Sequence, residues 1–327
     1  MNQKVNKKTP ADRLSYSGDL QPVIERLSAG YGVGTLRDYS VIEVGYEDCN
    51  VIVETENGKF VAKIFQKDRE PKDIARYIGV MQKVIEAGVN HPLLLRTQAG
   101  NIVYDDNQED GLSLILMKFI EGNTFFDLER APTDEERHGA IEQAAVINQI
   151  DYHPLYIFDS WAVPNIKTMY NRVKQFAKPR DLKLVEQAMI QYAEIPLDDL
   201  PRCFVHGDLT NTNVVKGTDG KIYILDFSVA NWYPRIQEIA VISVNLLHDE
   251  KNPDLSLRDR TEKVVAEYSS YIPLSPEEIQ HLYAYSLAGF AMEFMGSLQE
   301  KYINNNVTKE TEYWLRLGRE GLRKALA

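Results

Sequence analysis

Short apolar runs of the β type, separated by polar turns, dominate the first third of the chain. The runs are Val41–Val44, Val51–Thr55, Lys59–Phe65, Ile102–Tyr104 and Leu112–Phe119. The link Glu56-Asn57-Gly58 is typical of a tight hairpin, because Asn-Gly accommodates positive φ at both central positions. From Pro71 to Gly88 the apolar positions recur instead at helical spacing. The pattern predicts a five-stranded antiparallel sheet with one helix.

After Glu121-Gly122 the apolar positions follow helical spacing along most of the chain. Thr133 with Glu136 and Ser275 with Glu278 form capping boxes that begin two of the helices. We predict helices at 133–150, 166–178, 181–193, 236–248, 258–271, 275–302 and 309–326. The fold class is therefore α+β, with a flexible arm at 1–15, a small sheet domain at 16–118 and a larger, mainly helical domain at 119–327.

Composition narrows the choice of partners. The 327 residues are 44% hydrophobic and carry a formal net charge of -11, an acidic balance that disfavours nucleic acid and anionic membranes and suits a cationic or zwitterionic small molecule. Cys49 and Cys203 lie far apart without CxxC spacing, so we expect two reduced thiols. No stretch of 18 apolar residues occurs. We expect a soluble cytoplasmic protein.

The segment 206–213, His-Gly-Asp-Leu-Thr-Asn-Thr-Asn, follows a short apolar run and is named the catalytic loop below. The runs 214–216 and 221–225 are joined by a turn at 217–220, so we expect them to pair as a hairpin. Asn213 and Asp226 would then lie at the same open end. Their amide and carboxylate oxygens are suitable ligands for Mg²⁺.

Asp208 lies on the loop that leads into this hairpin, where a carboxylate can accept or orient the proton of an attacking hydroxyl. We expect His206 to hold the loop, because the acceptor needs only one base. Taken singly, these residues are explained equally well as turn caps and a solvated strand end. Their order and spacing together indicate an ATP-dependent kinase.

Lys63 lies between apolar neighbours in the run Phe60–Phe65. Such a lysine either extends its ammonium group to solvent, forms an ion pair, or contacts the α- and β-phosphates of a nucleotide, which is the interpretation we favour here. The turn Gly45–Asn50 would cover the phosphates through backbone amides. A GxxxxGK[ST] motif is missing from the sequence, which argues against a P-loop.

The motifs HGDLTNTN, ILDF, AKIF and LILMKFIEG resemble the superfamily of aminoglycoside phosphotransferases, choline kinases and type II homoserine kinases over about residues 20–325. This resemblance implies a two-lobed protein-kinase-like fold, with ATP or GTP and Mg²⁺ as cofactors. It implies that Asp208 is the catalytic base and that Asn213 and Asp226 are metal ligands. For the nucleotide, it implies that Lys63 contacts the phosphates and that Val61 packs on the adenine. The hinge would be Met117–Ile120, with adenine bonded to the backbone of Lys118 and Ile120.

Three positions depart from the family pattern. The helix 71–88 has Tyr77 where an acidic partner of Lys63 is expected, and Asp73, one turn earlier, is the candidate substitute. Ser228 stands where protein kinases have Gly, which favours the small-molecule branch. Glu238 stands where the family usually has Asp, and we expect its role to be structural.

The acceptor is less well defined by the sequence. Aromatic residues of the helical part are candidates for a cage around a quaternary ammonium group, or else for core: Trp232, Tyr233, Tyr283, Tyr285, Phe290, Phe294, Tyr313 and Trp314. Glu293 and Glu300 lie seven residues apart and would receive amines, or else form a solvated face. A weak resemblance to homoserine kinases over 224–248 favours an amino-acid or amino-alcohol hydroxyl.

The leading hypothesis is transfer of the ATP γ-phosphoryl group to a hydroxyl of an amine-bearing acceptor. A nucleotide-binding regulator that no longer transfers phosphate is the alternative, motivated by the missing helix acid. Protein kinase activity is disfavoured, because the segment between Asp226 and Pro234 is too short for a protein-docking loop.

Overall fold

A computed structural model describes residues 13–46, 48–106, 111–252 and 255–327. The chain forms two compact units, which are described separately here. The first comprises the residues up to Gly79 together with His91–Glu121, and the second comprises Val80–Asn90 and Gly122–Ala327. Most of the predicted arm at 1–15 lies outside the described residues. Leu14, within it, is fully buried in the core of the first unit.

The first unit contains the predicted five-stranded antiparallel sheet, in the order β1-β2-β3-β5-β4. The strands are β1 (Leu36–Val41), β2 (Cys49–Thr55), β3 (Gly58–Ile64), β4 (Val103–Asp106) and β5 (Leu112–Lys118). The prediction of a first strand at Val41–Val44 was wrong, because the ladder with β2 runs from Leu36 opposite Thr55 to Val41 opposite Val51. Two adjacent charged residues conceal β1 in the sequence, since Arg37 and Asp38 are both exposed on this edge strand and interrupt the apolar pattern.

The hairpin between β2 and β3 is confirmed, with Thr55 opposite Gly58 and a two-residue turn between them. Its predicted backbone was partly wrong. Gly58 has φ +131, whereas Asn57 is not among the described non-glycine residues with positive φ. Only the glycine therefore needs conformational freedom here, and the hydroxyl of Thr55 accepts the N–H of Asn57 to stabilise the turn.

One helix of the first unit was not predicted. Helix α1 (Leu20–Tyr31) begins at Asp19, whose carboxylate accepts the N–H of Gln21, and ends at Gly32 with φ +66. Leu20, Val23, Ile24 and Leu27 lie on its buried face. An N-cap, apolar positions at helical spacing and a terminal glycine are the usual sequence signs of a helix, and all three are present.

The other helices fall near their predicted positions. They are α2 (Pro71–Glu86), α3 (Asp134–Asn148), α4 (Ile166–Val173), α5 (Pro179–Ala193), α6 (Ile236–Val241), α7 (Leu257–Tyr268), α8 (Pro276–Tyr302) and α9 (Lys309–Ala325). Both predicted capping boxes are present. The predicted helix 236–248 continues from α6 into a wider π-type turn at Ile242–Leu246.

Two small sheets accompany the helices of the second unit. One has the order β6-β8-β9, formed by β6 (Gly122–Thr124), β8 (Val214–Gly217) and β9 (Ile222–Ile224). The other pairs β7 (Arg202–Val205) with β10 (Asn231–Pro234). The predicted hairpin of the catalytic region is thus confirmed as β8–β9, whereas β6 and β10 were not predicted. Strand β10 pairs with β7, which ends just before the catalytic loop, and β6 pairs with β8, which begins just after it.

The remaining global expectations concern thiols and membrane spans. Cys49 and Cys203 are free and buried, as predicted. Within the described ranges, none of the helices has the length and apolar character needed to cross a membrane.

Candidate active site

The β8–β9 hairpin positions Asn213 and Asp226. Val214 lies opposite Ile224, and the N–H of Leu225 donates to the carbonyl of Asn213 at 2.8 Å. Asn213 therefore lies beside Leu225, the residue before Asp226. Asp226 has φ +55, a left-handed backbone conformation that is unusual for a residue other than glycine. The chain turns at this point as it leaves the strand.

The side chain of Asn213 joins the hairpin to Asp208. Its Nδ2 donates to Oδ2 of Asp208 at 2.6 Å and to the Asp208 carbonyl at 3.0 Å. The nitrogen end of the amide is thus occupied, and its Oδ1 carries no hydrogen bond from the residues that the structure describes. An amide oxygen beside the carboxylate of Asp226 is a donor set that fits Mg²⁺, which needs few protein ligands when phosphates and water complete its coordination.

A cluster of three or more His, Cys, Asp or Glu side chains arranged for metal binding does not occur within the described residues. This finding agrees with the chemistry expected of the hairpin. One amide and one carboxylate would bind a metal weakly alone, so the arrangement suits an ion that arrives with a nucleotide.

His206 ties the catalytic loop to the end of β9. Its Nε2 donates to the carbonyl of Leu225 at 2.8 Å, and its Nδ1 accepts the N–H of Asp208 at 3.1 Å. These two bonds require the neutral ring, and burial lowers the pKa of His206 to about 4. His206 therefore aligns the backbone of Asp208 with the segment that carries Asp226.

Glu238 of α6 stabilises the catalytic loop by accepting a hydrogen bond from its backbone. Its Oε2 accepts the N–H of Gly207 at 3.0 Å, and the side chain is fully buried. Gly207 has φ +83, so this position of the loop favours glycine. Burial raises the pKa of Glu238 to about 7, although the bonds from the Gly207 and His206 backbone act in the opposite direction.

Asp208 lies in strongly acidic surroundings. Burial raises its pKa well above the ordinary range, and the negative charges of Asp159, Glu293, Asp226 and Glu310 raise it further. Asp159, Glu293 and Glu310 come from three separate segments and are named the acidic cluster below. Their convergence on Asp208 is not visible in the sequence, where only Glu293 was a candidate.

A network of amide side chains connects the acidic cluster to the catalytic loop. Asn245 donates to Oε1 of Glu293 at 3.1 Å and accepts the backbone N–H of Asn211 at 3.1 Å. The Nδ2 of Asn211 donates in turn to the hydroxyl of Tyr313 at 3.1 Å. Asn211 and Asn245 were not predicted as site residues.

The candidate acceptor residues of the sequence separate into distinct groups. Tyr285, Phe290 and Phe294 are at most 1% exposed, so the interpretation as core is confirmed for them. Glu300 is also buried and accepts hydrogen bonds from Asn304 and Asn306. It thus stabilises the end of α8, and neither the amine-binding nor the solvated interpretation describes it.

The candidate nucleotide residues lie together on the sheet of the first unit. Val61 of β3 is directly opposite Met117 of β5, and Lys63 is opposite Ile115. The side chain of Lys63 is 4% exposed, and its Nζ lies 3.6 Å from Oδ2 of Asp48 and 4.9 Å from the ring centre of Tyr77.

Among the described residues, the acidic side chain at ion-pair distance from Lys63 is that of Asp48, and the candidate substitute Asp73 is not its partner. Asp48 lies in the turn before β2, 2% exposed, and also faces Arg69 at 3.4 Å. The sequence-based prediction looked for an acidic partner of Lys63 on helix α2. Asp48 lies instead in the turn Gly45–Asn50, which was expected to cover the phosphates. Tyr77 packs its ring against Lys63 from the helix side.

Lys118 and Ile120 follow at the end of β5. The N–H of Lys118 already donates to the carbonyl of Leu93 at 2.9 Å. For Ile120 the described part of the chain provides no backbone hydrogen bond. Of the two residues, Ile120 thus has the N–H that is free for a ligand.

Comparisons with known proteins agree with this geometry. A homoserine kinase of Brucella ovis is 25% identical over 275 residues, which cover 81% of this chain and 79% of that protein. A spectinomycin phosphotransferase solved with ADP and spectinomycin has a TM-score of 0.67 at 13% identity, over 94% of this chain and 97% of the other. A choline kinase of Streptococcus pneumoniae has a TM-score of 0.62 at 12% identity, over 93% and 99%.

The structural similarities show that the fold is of the protein-kinase-like type found in these phosphotransferases. The sequence model of the phosphotransferase enzyme family matches residues 38–264, which is more than half of the chain and includes Lys63, Asp208, Asn213 and Asp226. The chain therefore belongs to the phosphotransferase enzyme family.

Proposed function

We propose that the protein transfers the γ-phosphoryl group of ATP, with Mg²⁺, to a hydroxyl of a small amine-bearing acceptor of the homoserine, choline or aminoglycoside kind. The observation that carries this proposal is the 2.6 Å bond between Asp208 and Asn213 at the mouth of the β8–β9 hairpin. It joins the candidate base to a candidate metal ligand at hydrogen-bond distance. Family membership supports the reaction class.

In this mechanism Asp208 orients the acceptor hydroxyl and accepts its proton. The residues that would hold the metal are Asn213, through its amide oxygen, and Asp226, through its carboxylate. Mg²⁺, when bound with the nucleotide, neutralises phosphate charge. His206 and Glu238 hold the loop so that little reorganisation is needed, and positioning and electrostatics supply most of the rate.

In the first unit, Lys63 would neutralise the α- and β-phosphates, and Val61 with Met117 would pack on the base. The adenine contacts follow from the backbone groups that remain open. We assign them to the carbonyl of Lys118 and to the N–H of Ile120, since the Lys118 N–H is bonded to Leu93.

The acceptor class follows from charge. Asp159, Glu293 and Glu310 gather negative charge around Asp208, and a cationic acceptor would offset it. The related homoserine kinase and the structurally similar choline kinase and spectinomycin phosphotransferase carry amine-bearing acceptors in their names. The agreement between these names and the acidic cluster supports an amine-bearing acceptor. The choice among such acceptors requires experiment.

The test is a screen of amino alcohols, amino acids with hydroxyl groups, and aminoglycosides, with Mg-ATP and the full-length chain. We expect ADP release that depends on one group of acceptors, together with an acceptor product that is heavier by one phosphoryl group. Tight Mg-ATP binding without acceptor-dependent ADP release across the whole panel would contradict the proposal and favour the nucleotide-binding regulator.

A further inference from the structure

Two oxygen atoms near the catalytic loop lack a hydrogen-bond donor among the described residues. Glu293 accepts only one N–H, from Asn245 to Oε1, so its Oε2 remains open. Asn211 is 6% exposed, and its Oδ1 is buried without a partner. Because an unpaired buried oxygen is unfavourable in an isolated protein, the Oδ1 of Asn211 marks a place where a ligand donor is missing, and the half-buried Glu293 offers a second acceptor.

The two oxygens belong to one network. Asn245 contacts both residues, since it donates to Glu293 and accepts the backbone N–H of Asn211. The other end of the Asn211 amide is fixed by the hydroxyl of Tyr313 at 3.1 Å. The side chains are therefore held in place before any ligand arrives, which reduces the entropy lost on binding.

The charged groups that shift the pKa of Glu293 are acidic. Burial raises the pKa of Glu293 to about 7, the neutral amide of Asn245 acts in the opposite direction, and the negative charges of Asp159 and Glu310 add to the rise. A bound cation would stabilise the ionised form of Glu293 and offset the repulsion within the acidic cluster. The ligand that fits is thus both positively charged and a hydrogen-bond donor.

We propose that Glu293 and Asn211 bind the amine of the acceptor through N–H···O hydrogen bonds, so that the site selects a primary ammonium group over a quaternary one. This proposal deepens the function proposed above and rests on it. A trimethylammonium group carries no N–H and is bound mainly by aromatic faces. Three aromatic residues of α8, Tyr285, Phe290 and Phe294, are instead enclosed in the core.

The test is calorimetric titration of the full-length chain, without nucleotide, with ethanolamine, 3-amino-1-propanol and L-homoserine, and with the N-trimethyl analogue of each. We expect at least one primary amine to bind at least about tenfold more tightly than its trimethyl analogue, the loss expected when hydrogen bonds to a charged group are removed. Glu293→Gln should remove this preference.

Glu300→Gln is the matched control, because Glu300 is a buried glutamate on the same helix that accepts hydrogen bonds from Asn304 and Asn306 rather than from the network of Asn245. It should leave the preference unchanged. Equal binding of the paired probes, binding of none of the primary amines at millimolar concentration, or an unaltered preference in a folded Glu293→Gln protein would overturn the proposal. The titration requires no turnover, so a protein that fails to transfer phosphate still gives a result.

Discussion

Glu238 is a carboxyl group held in the protein interior directly against the backbone of the catalytic loop. Its Oε2 accepts the Gly207 N–H, whereas its Oε1 is buried without a hydrogen-bond partner in the described structure. Ionising such a group leaves a charge with little compensation. The proton on Glu238 is therefore part of the folded state near neutral pH.

Replacement of Glu238 by Gln should change how stability depends on pH. The folded pKa of about 7 exceeds the ordinary 4.5, so between these values the folded state holds a proton that the unfolded chain releases. The free energy of unfolding of the wild-type protein should thus fall as pH rises through this window, and Glu238→Gln should remove about 3 kcal/mol of that fall.

The measurement is urea unfolding of both proteins at about pH 5 and about pH 8. The quantity to compare is the difference in the free energy of unfolding between the wild-type and Glu238→Gln proteins at each pH. This difference is needed because Glu293 also has a pKa raised to about 7 and titrates in both proteins. A difference that does not vary with pH would show that Glu238 is ionised throughout.

Asp48 offers a second prediction at the scale of single residues. Asp48→Asn removes a buried carboxylate that lies 3.6 Å from the ammonium of Lys63 and 3.4 Å from Arg69, so it should lower the free energy of unfolding by about 1 to 3 kcal/mol. Asp73→Asn is the control, since Asp73 is half-buried in the first turn of α2 with no ion pair in the described structure, and its replacement should cost less than about 1 kcal/mol.

Chemical denaturation of the two variants decides between the two carboxylates. A larger loss in the free energy of unfolding from Asp73→Asn than from Asp48→Asn would indicate that Asp73 is the partner of Lys63.

The contrast between Asp48 and the candidate catalytic residues shows what a sequence can tell about single positions. Asp208, Asn213 and Asp226 were recognisable because a short hairpin fixes their neighbourhood through local spacing. Asp48, Asn211 and Asn245 act through contacts between distant segments, such as the bond from Asn245 to Glu293. No local pattern marks such contacts.

At the scale of elements, helices α8 and α9 approach each other closely where α9 carries glycine. A Cβ on Gly318 would meet the backbone nitrogen of Phe294 and lie 2.6 Å from the carbonyl oxygen of Phe290. Backbone atoms of a long helix cannot move aside as a side chain can. The absence of a side chain at Gly318 therefore sets the distance between two helices that carry Glu293 and Glu310.

Gly318→Ala should destabilise the protein by at least about 1 to 3 kcal/mol through overpacking, although Ala is favoured over Gly in an open helix by about 1 kcal/mol. Gly289→Ala on α8 is the control, because its Cβ would meet only a methyl group of Val244 at 3.2 Å. Thermal unfolding of both variants gives the answer, and a stabilised Gly318→Ala protein would show that the helices separate without cost.

Helices were predictable where the spacing of apolar residues agreed with the capping and terminating residues. The capping boxes at Thr133 and Ser275 and the stop at Gly88 marked their helices correctly. The predicted position of strand β1 was wrong because this edge strand contains the adjacent exposed residues Arg37 and Asp38 and does not form an apolar run. The pairing of β7 with β10 depends on segments separated by the whole catalytic region, so only the folded chain reveals it.

At the scale of the whole molecule, an acidic chain with net charge -11 concentrates part of its negative charge around one candidate base. The general field attracts cations, and the acidic cluster provides the specific environment for one. The acidic composition predicts a cationic partner, and the family match shows the reaction class. Only the folded arrangement relates the two, because Asp159, Glu293 and Glu310 meet near Asp208.

The most direct test of the account is the steady-state rate of acceptor-dependent ADP release by Asp208→Asn, with nucleotide binding measured in parallel. The account predicts a loss of about 100-fold or more, the usual contribution of a positioned base, with Mg-ATP affinity unchanged. Asp199→Asn, an exposed position, should behave as wild type. An Asp208→Asn protein that retains the wild-type rate would contradict the central claim that Asp208 acts on the acceptor.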